Sequence, residues 1–244
     1  MSDCFIVSGH LNSDDKIKSS YNLLKKIREL RPNIEIIFVS HLNIPDDLLK
    51  LVDTFLFTKE NLILNYDISD NFTKKHGNII QTDNFIYVSY PPNASFAHLV
   101  SICDGICFGA SVGFKKFHYM SSDCNIEMLN DLDTHDAYLN SYDACFYEFH
   151  EWVNTEFFSF NLNLGKLLFQ YRMYDNYKKL LDPRLEPAIS YFLNNNNINY
   201  FCMKTDKKFG FGNSGFSHKF KYVSDDQKIF LFPITISIDK YDIV

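Results

Sequence analysis

The chain opens on a compact apolar run, CFIVSGH from Cys4 to His10, which stops at a glycine and polar residues as a buried strand does. From Asp14 onward the spacing changes. Ile17, Tyr21, Leu24, Ile27 and Leu30 fall three or four apart, which predicts a helix that Pro32 helps to stop. IEIIFVSH predicts a second strand. PDDLLKLV predicts a helix, since Pro45, Asp46 and Asp47 suit its first turn, and DTFLFTKEN predicts a third strand. Strand and helix therefore alternate over residues 1–61, the order of a mostly parallel sheet with helices on its faces.

Residues 65–84 are polar and irregular and predict a loop, followed by a short strand, NFIYVSY, before Pro91 and Pro92. NASFAHLVSICDGICFGASVGF predicts a long helix, with Asn93 or Ser95 to cap its start and Gly113 to end it. The strand KKFHYM follows at once and runs into SSD, one more α/β unit. After residue 130 the texture changes to aromatic-rich. AYLNSYDACFYEFH and NTEFFSFNLNLG predict strands, LGKLLFQYRMYDNYKKLL a helix, EPAISYFLNNNN a short helix with Pro187 in its first turn, and INYFCMKT a strand. DKKFGFGNSGFSHKF is a glycine-bearing loop, and KIFLFPITISIDKYDIV alternates like one or two further strands. The apolar pattern runs to the last residue, so a fragment of a longer protein is an expectation. No internal repeat is present.

With 244 residues, 24 of them Phe and 15 Tyr, the chain can fill a sizeable core. Its net charge of -6 argues against a general nucleic-acid binder, which needs a basic face. The cysteines at positions 4, 103, 107, 124, 145 and 202 form no CxxC pair, and the His and Cys spacings match none of the usual zinc ligand sets. Cys103 and Cys107, four apart in an apolar helical pattern, are expected to be buried free thiols, and a reducing, cytoplasmic setting is the expectation. The first ten residues lack the basic flank and apolar run of a signal peptide, and no apolar stretch approaches ~20 residues, so no transmembrane segment is expected.

Three stretches carry a family resemblance: IIFVSHLNIPDDLLKLVDTFLFTKENLIL, YVSYPPNASFAHLVSICDGICFGASVGFKKFHYMSSDC, and YDACFY. Their order and spacing resemble the GT-A glycosyltransferase fold of small viral and bacterial nucleotide-sugar transferases, well over residues 3–150 and loosely over 151–225. The resemblance implies a Rossmann-related α/β domain over residues 1–225, with 1–125 as the nucleotide-binding half and 126–225 as the acceptor side. Residues 226–244 are the expected start of a further β-rich region. It also implies transfer of a sugar from a nucleotide-diphosphate donor, UDP-sugar favoured, to a hydroxyl of a glycan or glycoconjugate, with Mn²⁺ or Mg²⁺ as cofactor. The alternative is a non-catalytic relative that binds sugar or a partner protein. A nucleotidyltransferase is a third class, but no glycine-rich phosphate loop favours it.

In such enzymes an Asp-x-Asp pattern stands where SSDCN stands here, so Ser121 occupies the first acidic position and Asp123 alone remains as metal ligand. One carboxylate suffices where waters and the diphosphate supply the other oxygens, although an Asp after a strand also simply makes a turn. Asp131 and Asp133 form a literal Asp-x-Asp, but in a polar run that predicts a solvated loop. The resemblance further implies His218 as a late metal or diphosphate contact, on a loop that Gly210, Gly212 and Gly215 would let close and that carries Lys219 and Lys221. It implies Glu186 as general base, with Asp182 and Glu156 in reserve, and Asp53 as a contact to base or ribose. Ligands of open α/β sheets gather beyond the carboxyl ends of strands, which adds Ser8, Gly9 and His10 to the expected donor site, with weaker claims for His41 and Asn61. Tyr90, His98 and Tyr119 are read first as core, second as stacking platforms.

Overall fold

The computed structural model describes residues 3–58, 79–82, 85–88, 95–149, 152–172 and 185–204. The chain divides into two compact units, Met1–Leu62 with Ser95–Asn213, and Ile63–Ala94 with Ser214–Val244.

The first unit begins as its patterning requires. β1 (Asp3–Ser8), α1 (Asp14–Leu30), β2 (Glu35–Ser40), α2 (Asp46–Leu49) and β3 (Thr54–Phe57) follow one another. In β1 and β2 every residue after the first is buried, because parallel strands covered on both faces read as continuous apolar runs. The Ser13 hydroxyl caps α1 by accepting from the Lys16 N–H, and Asp14 and Asp15 complement its dipole.

In the second unit the described residues form an antiparallel pair, β4 (Ile79–Thr82) with β5 (Phe85–Val88). Residues 79–82, expected in a loop, are thus a strand, paired in register with residues 85–88.

Back in the first unit, α3 (Ser95–Ser111) feeds β6 (Lys116–Ser121). A 3₁₀ turn (Ile126–Asp131), α4 (Leu132–Tyr138), β7 (Ala144–Phe149), β8 (Trp152–Val153), β9 (Phe157–Asn161), α5 (Leu162–Gln170), α6 (Leu185–Asn195) and β10 (Tyr200–Met203) complete it. The run NDLDTHD is therefore helical rather than a loop, and residues 137–142 end that helix and turn instead of opening a strand. Buried Leu132 and His135 anchor α4 to the core, a tertiary contact that outweighs its polar composition. The NLNLG segment likewise leaves β9 for α5, capped by Asn161, whose side chain accepts from the Asn163 N–H.

The strands run in the order β10-β7-β9-β6-β1-β2-β3, with β8 on β7. β6, β1, β2 and β3 are parallel, β7 and β10 are parallel, and β9 lies antiparallel between β6 and β7. The sheet is mostly parallel with β6 at its centre, as the strand-helix order predicts. Alternation along the strands divides the core. Phe5, Val7, Phe38 and Met120 meet Leu23, Leu24 and Ile27 of α1, Leu48 of α2, and Met128, Leu129 and Leu132 on one face. On the other face Ile6 and Phe117 press on α3 at Gly105 and Gly109, where even a methyl group would collide. Among the described residues, no helix is long and apolar enough to cross a membrane.

Candidate functional site

From β1 the chain works outward through β2 to β3, then returns to lay β6 on the other side of β1. That reversal is a topological switch point, and in open α/β sheets the loops leaving the carboxyl ends of the strands on either side of such a point border the ligand crevice. Ser8 and Ser121 face each other across it in register. The Ser122 N–H donates to the Ser8 carbonyl at 2.8 Å, and the Gly9 N–H to the Val39 carbonyl at 3.1 Å. Gly9 has no room for a side chain, since a Cβ would come within 2.8 Å of Phe38 Cζ and 2.9 Å of Ser122 Oγ. Its glycine is a packing requirement that brings bare backbone to the crevice floor.

Under that floor the Ser8 hydroxyl meets the Tyr119 hydroxyl at 2.5 Å and His98 Nε2 at 3.1 Å, and Tyr119 and His98 also meet directly. Burial holds the His98 pKa below its ordinary value and the Tyr119 pKa well above it, so both rings are neutral at neutral pH. These two aromatics are core residues with polar tips rather than exposed platforms. On the rim, His10 after β1 and His41 after β2 stack at a centroid separation of 4.6 Å, with Nδ1 of one 2.8 Å from Nε2 of the other. Burial lowers the pKa of both, and His41 and Lys16 lower that of His10 further. The pair is a neutral hydrogen-bonding edge. Its signal in the sequence is a repeated strand ending, Ser-Gly-His in one strand and Ser-His in the next.

Asp123 follows β6 in a turn closed by Cys124 N–H donating to the Ser121 carbonyl at 3.1 Å, and the Ser121 hydroxyl donates to Asp123 Oδ1. The serine at the first acidic position thus orients the remaining carboxylate. Next to it, the Ser121 N–H donates to the Glu156 carbonyl at 2.8 Å. The Asn154 side chain accepts from the Glu156 and Phe157 N–H groups, which bends the chain and turns Glu156 inward. Glu156 Oε2 is buried without a hydrogen bond, and burial, then the charges of Asp123 and Glu186, push its pKa up to about 8. Glu186, in the first turn of α6, accepts from the Thr155 hydroxyl at 2.8 Å. Three carboxylates therefore converge on one end of β6, and the most buried of them is protonated at neutral pH. Sequence reasoning held Glu156 only in reserve, because a lone Glu before an aromatic strand carries no pattern.

Asp53 does not join this group. It precedes β3 and so lies at the amino ends of the strands, where Oδ2 accepts from the Ile36 N–H at 2.8 Å and from Arg28 at 2.5 Å. The residue that opens a parallel strand stands beside the openings of its neighbours, opposite the crevice. Asp131 and Asp133 are also engaged elsewhere, with Tyr147 and Arg31. Asn61, Tyr90, Asp182, Gly210, Gly212, Gly215, His218, Lys219, Lys221 and the strands expected over 228–244 lie outside the described residues.

The donor set at the crevice fits a hard divalent cation. Asp123 offers carboxylate oxygen held by Ser121, and Mg²⁺ or Mn²⁺ completes its shell with water and phosphate oxygens. Bound there, such an ion would offset diphosphate charge.

Neither a protein-family model nor a curated protein sequence matches the chain. Solved structures with a similar course of the chain are nucleotidyl and sugar transferases. A cytidylyltransferase from Leptospira borgpetersenii is 13% identical at a TM-score of 0.48, over 85% of this chain and 77% of its own. A glycosyltransferase involved in the glycosylation of the major capsid of PBCV-1 is 11% identical at a TM-score of 0.43, over 84% and 82%. The 4-diphosphocytidyl-2C-methyl-D-erythritol synthase from Anaerococcus prevotii is 10% identical at a TM-score of 0.45, over 83% and 86%.

Proposed function

We propose that this chain is a glycosyltransferase that moves a sugar from a nucleotide-diphosphate donor to a hydroxyl of a glycan or glycoconjugate. The observation that carries the reading is the carboxylate cluster at the switch point: Asp123 oriented by Ser121, beside a protonated Glu156 and the Glu186 carboxylate. A donor fits with its nucleotide along the Ser8-Gly9-His10 strand end, where bare backbone and the neutral His10–His41 pair offer uncharged hydrogen-bonding groups. Its diphosphate then faces Asp123, which would hold Mn²⁺ or Mg²⁺ to offset the diphosphate charge. Glu186 takes the proton of the attacking hydroxyl as general base, and Glu156 presents a neutral O–H donor beside it.

The test is turnover of a panel of nucleotide sugars, UDP-sugars first, with sugar acceptors and Mn²⁺, followed by mass spectrometry of the products. Release of nucleoside diphosphate with a glycosylated acceptor is the expected result, and Glu186→Gln should slow it at least ~100-fold. Pyrophosphate release from a nucleoside triphosphate and a sugar phosphate would assign nucleotidyl transfer instead. Binding without turnover of any donor would leave a sugar-binding module.

A further inference from the structure

At the other end of the sheet a second group of side chains converges that the crevice does not use. His118 is wholly buried in β6, and its Nε2 atom makes no hydrogen bond. That nitrogen points between Asp136 Oδ1 of α4, at 3.3 Å, and Asp3 Oδ2 at the start of β1, at 3.6 Å. The three ligand-type atoms lie within 4.8 Å of one another.

We propose that Asp3, His118 and Asp136 form a binding site for a divalent transition metal of the zinc class, separate from the crevice at the opposite strand ends. The spacing is the first reason. Two ligand atoms each ~2.0–2.1 Å from a tetrahedral ion stand ~3.3–3.4 Å apart. The separations of 3.3 and 3.6 Å match that edge and are longer than the ~2.9–3.0 Å at which N–H···O bonds cluster.

The supporting contacts are the second reason. A metal-binding histidine is held by its other nitrogen, and a metal-binding carboxylate by its other oxygen. His118 Nδ1 lies 2.8 Å from the Ser159 hydroxyl, directly across from it on β9, and that hydroxyl is itself 2.9 Å from His135 Nδ1. When Ser159 donates to His135 it accepts from His118, which leaves the His118 Nε2 lone pair aimed at the two aspartates. Asp136 Oδ2 meanwhile accepts from Arg31 at 3.2 Å, so its Oδ1 is turned toward His118. Between two carboxylates that nitrogen calls for positive charge, either a proton, since against the lowering effect of burial Asp136 and Asp3 raise the His118 pKa, or a bound cation. With two carboxylates and one neutral imidazole, a divalent ion brings the site to zero charge.

Access is the third reason. Asp3 and Asp136 are each about one-third exposed, and a surface pocket of about 490 Å³ lined by Asp3, Arg31, Glu35 and Phe114 opens beside them. Solvent can therefore supply a fourth ligand. A ligand set of one imidazole and two carboxylates suits zinc-class ions better than the soft metals that thiolates select. Its three members come from positions 3, 118 and 136, so no spacing motif marks them. An ion there would tie β1, β6 and α4 together.

The experiment is calorimetric titration of the metal-stripped full chain with Zn²⁺, and with Co²⁺ as an absorbing and paramagnetic substitute. One equivalent should bind in the wild type and in the crevice variants Asp123→Asn and His41→Ala. Asp3→Asn, at the one-third-exposed start of β1, should lose more affinity than the ~10–100-fold that removing an outer partner costs. The Co²⁺ spectrum should lack the charge-transfer band of a thiolate ligand. In the wild type, with no substitution needed, Co²⁺ should broaden NMR signals around His118 first. Absence of binding, undiminished binding by Asp3→Asn, a thiolate band, or broadening centred on the His10–His41 pair would each overturn the proposal. A site that only holds a proton gives the first of these results.

Discussion

Glu156 shows how far a single residue's behaviour depends on its surroundings. A glutamate ordinarily titrates at 4.5, and here burial, Asp123 and Glu186 move it to about 8. Between those values the folded protein holds a proton that the unfolded chain has released. Stability therefore falls as pH rises from about 4.5 to about 8, and the loss is complete above the folded value. Glu156→Gln stays neutral throughout. Its urea-denaturation stability should decline less than wild type over that window and exceed it in mildly alkaline buffer, by a few kcal/mol at most. Parallel pH profiles for the two proteins would show that Glu156 ionises normally. Nothing in the sequence marks this group, because both neighbouring charges are distant along the chain, at positions 123 and 186. Asp123 differs: it was legible as the one carboxylate after a buried strand, and Ser121 beside it as a departure from an acidic pair. That Ser121 serves by orienting Asp123 emerged only when both side chains had positions.

Among the elements, the central ones were the most legible. In β1, β2 and β6 every residue after the first is buried, and α1 carries its buried residues three and four apart, so local pattern and tertiary burial agree. α3 shows the reverse dependence, of element on packing. Gly105 and Gly109 weaken a helix by ~1 kcal/mol each relative to alanine, yet one stands inside α3 and the other in its last turn. The cause is close contact with the sheet, since a Cβ at Gly105 would lie 2.5 Å from Ile6 Cγ2. Gly105→Ala should therefore destabilise the protein by about 1–3 kcal/mol in urea denaturation, the strain of overpacking outweighing the gain in helix propensity. A neutral or stabilising result would mean that α3 stands further from β1 than it does here. α4 was misread for the opposite reason: its sequence is polar, and only Leu132 and His135 reach the core.

For the molecule as a whole, the consequence of the fold is a switch point at the carboxyl ends of β1 and β6. Metal and nucleotide should bind there as a coupled pair, because one oriented carboxylate holds a divalent ion weakly until a diphosphate adds its own oxygens. Each ligand should raise the other's affinity by the same factor. A nucleoside diphosphate at 100 times its Kd adds ~2.7 kcal/mol of apparent stability, and Mn²⁺ should enlarge the thermal shift at fixed nucleotide. Asp123→Asn should abolish that enlargement, and Ser121→Ala should reduce it. Nucleotide affinity indifferent to Mn²⁺ in all three proteins would remove Asp123 from metal binding. By itself the sequence determined the alternation of strand and helix, the parallel sheet and the strand end that carries Asp123, because these follow from burial periods over a few consecutive residues. Only the tertiary structure decided that β9 enters antiparallel between β6 and β7, that Asp53 stands at the far end of the strands, and that Glu156 and Glu186 meet Asp123. It also decided that Asp3, His118 and Asp136 share one corner. Those outcomes depend on which distant segments pair and in what direction, and no local period encodes the direction of a chain's return.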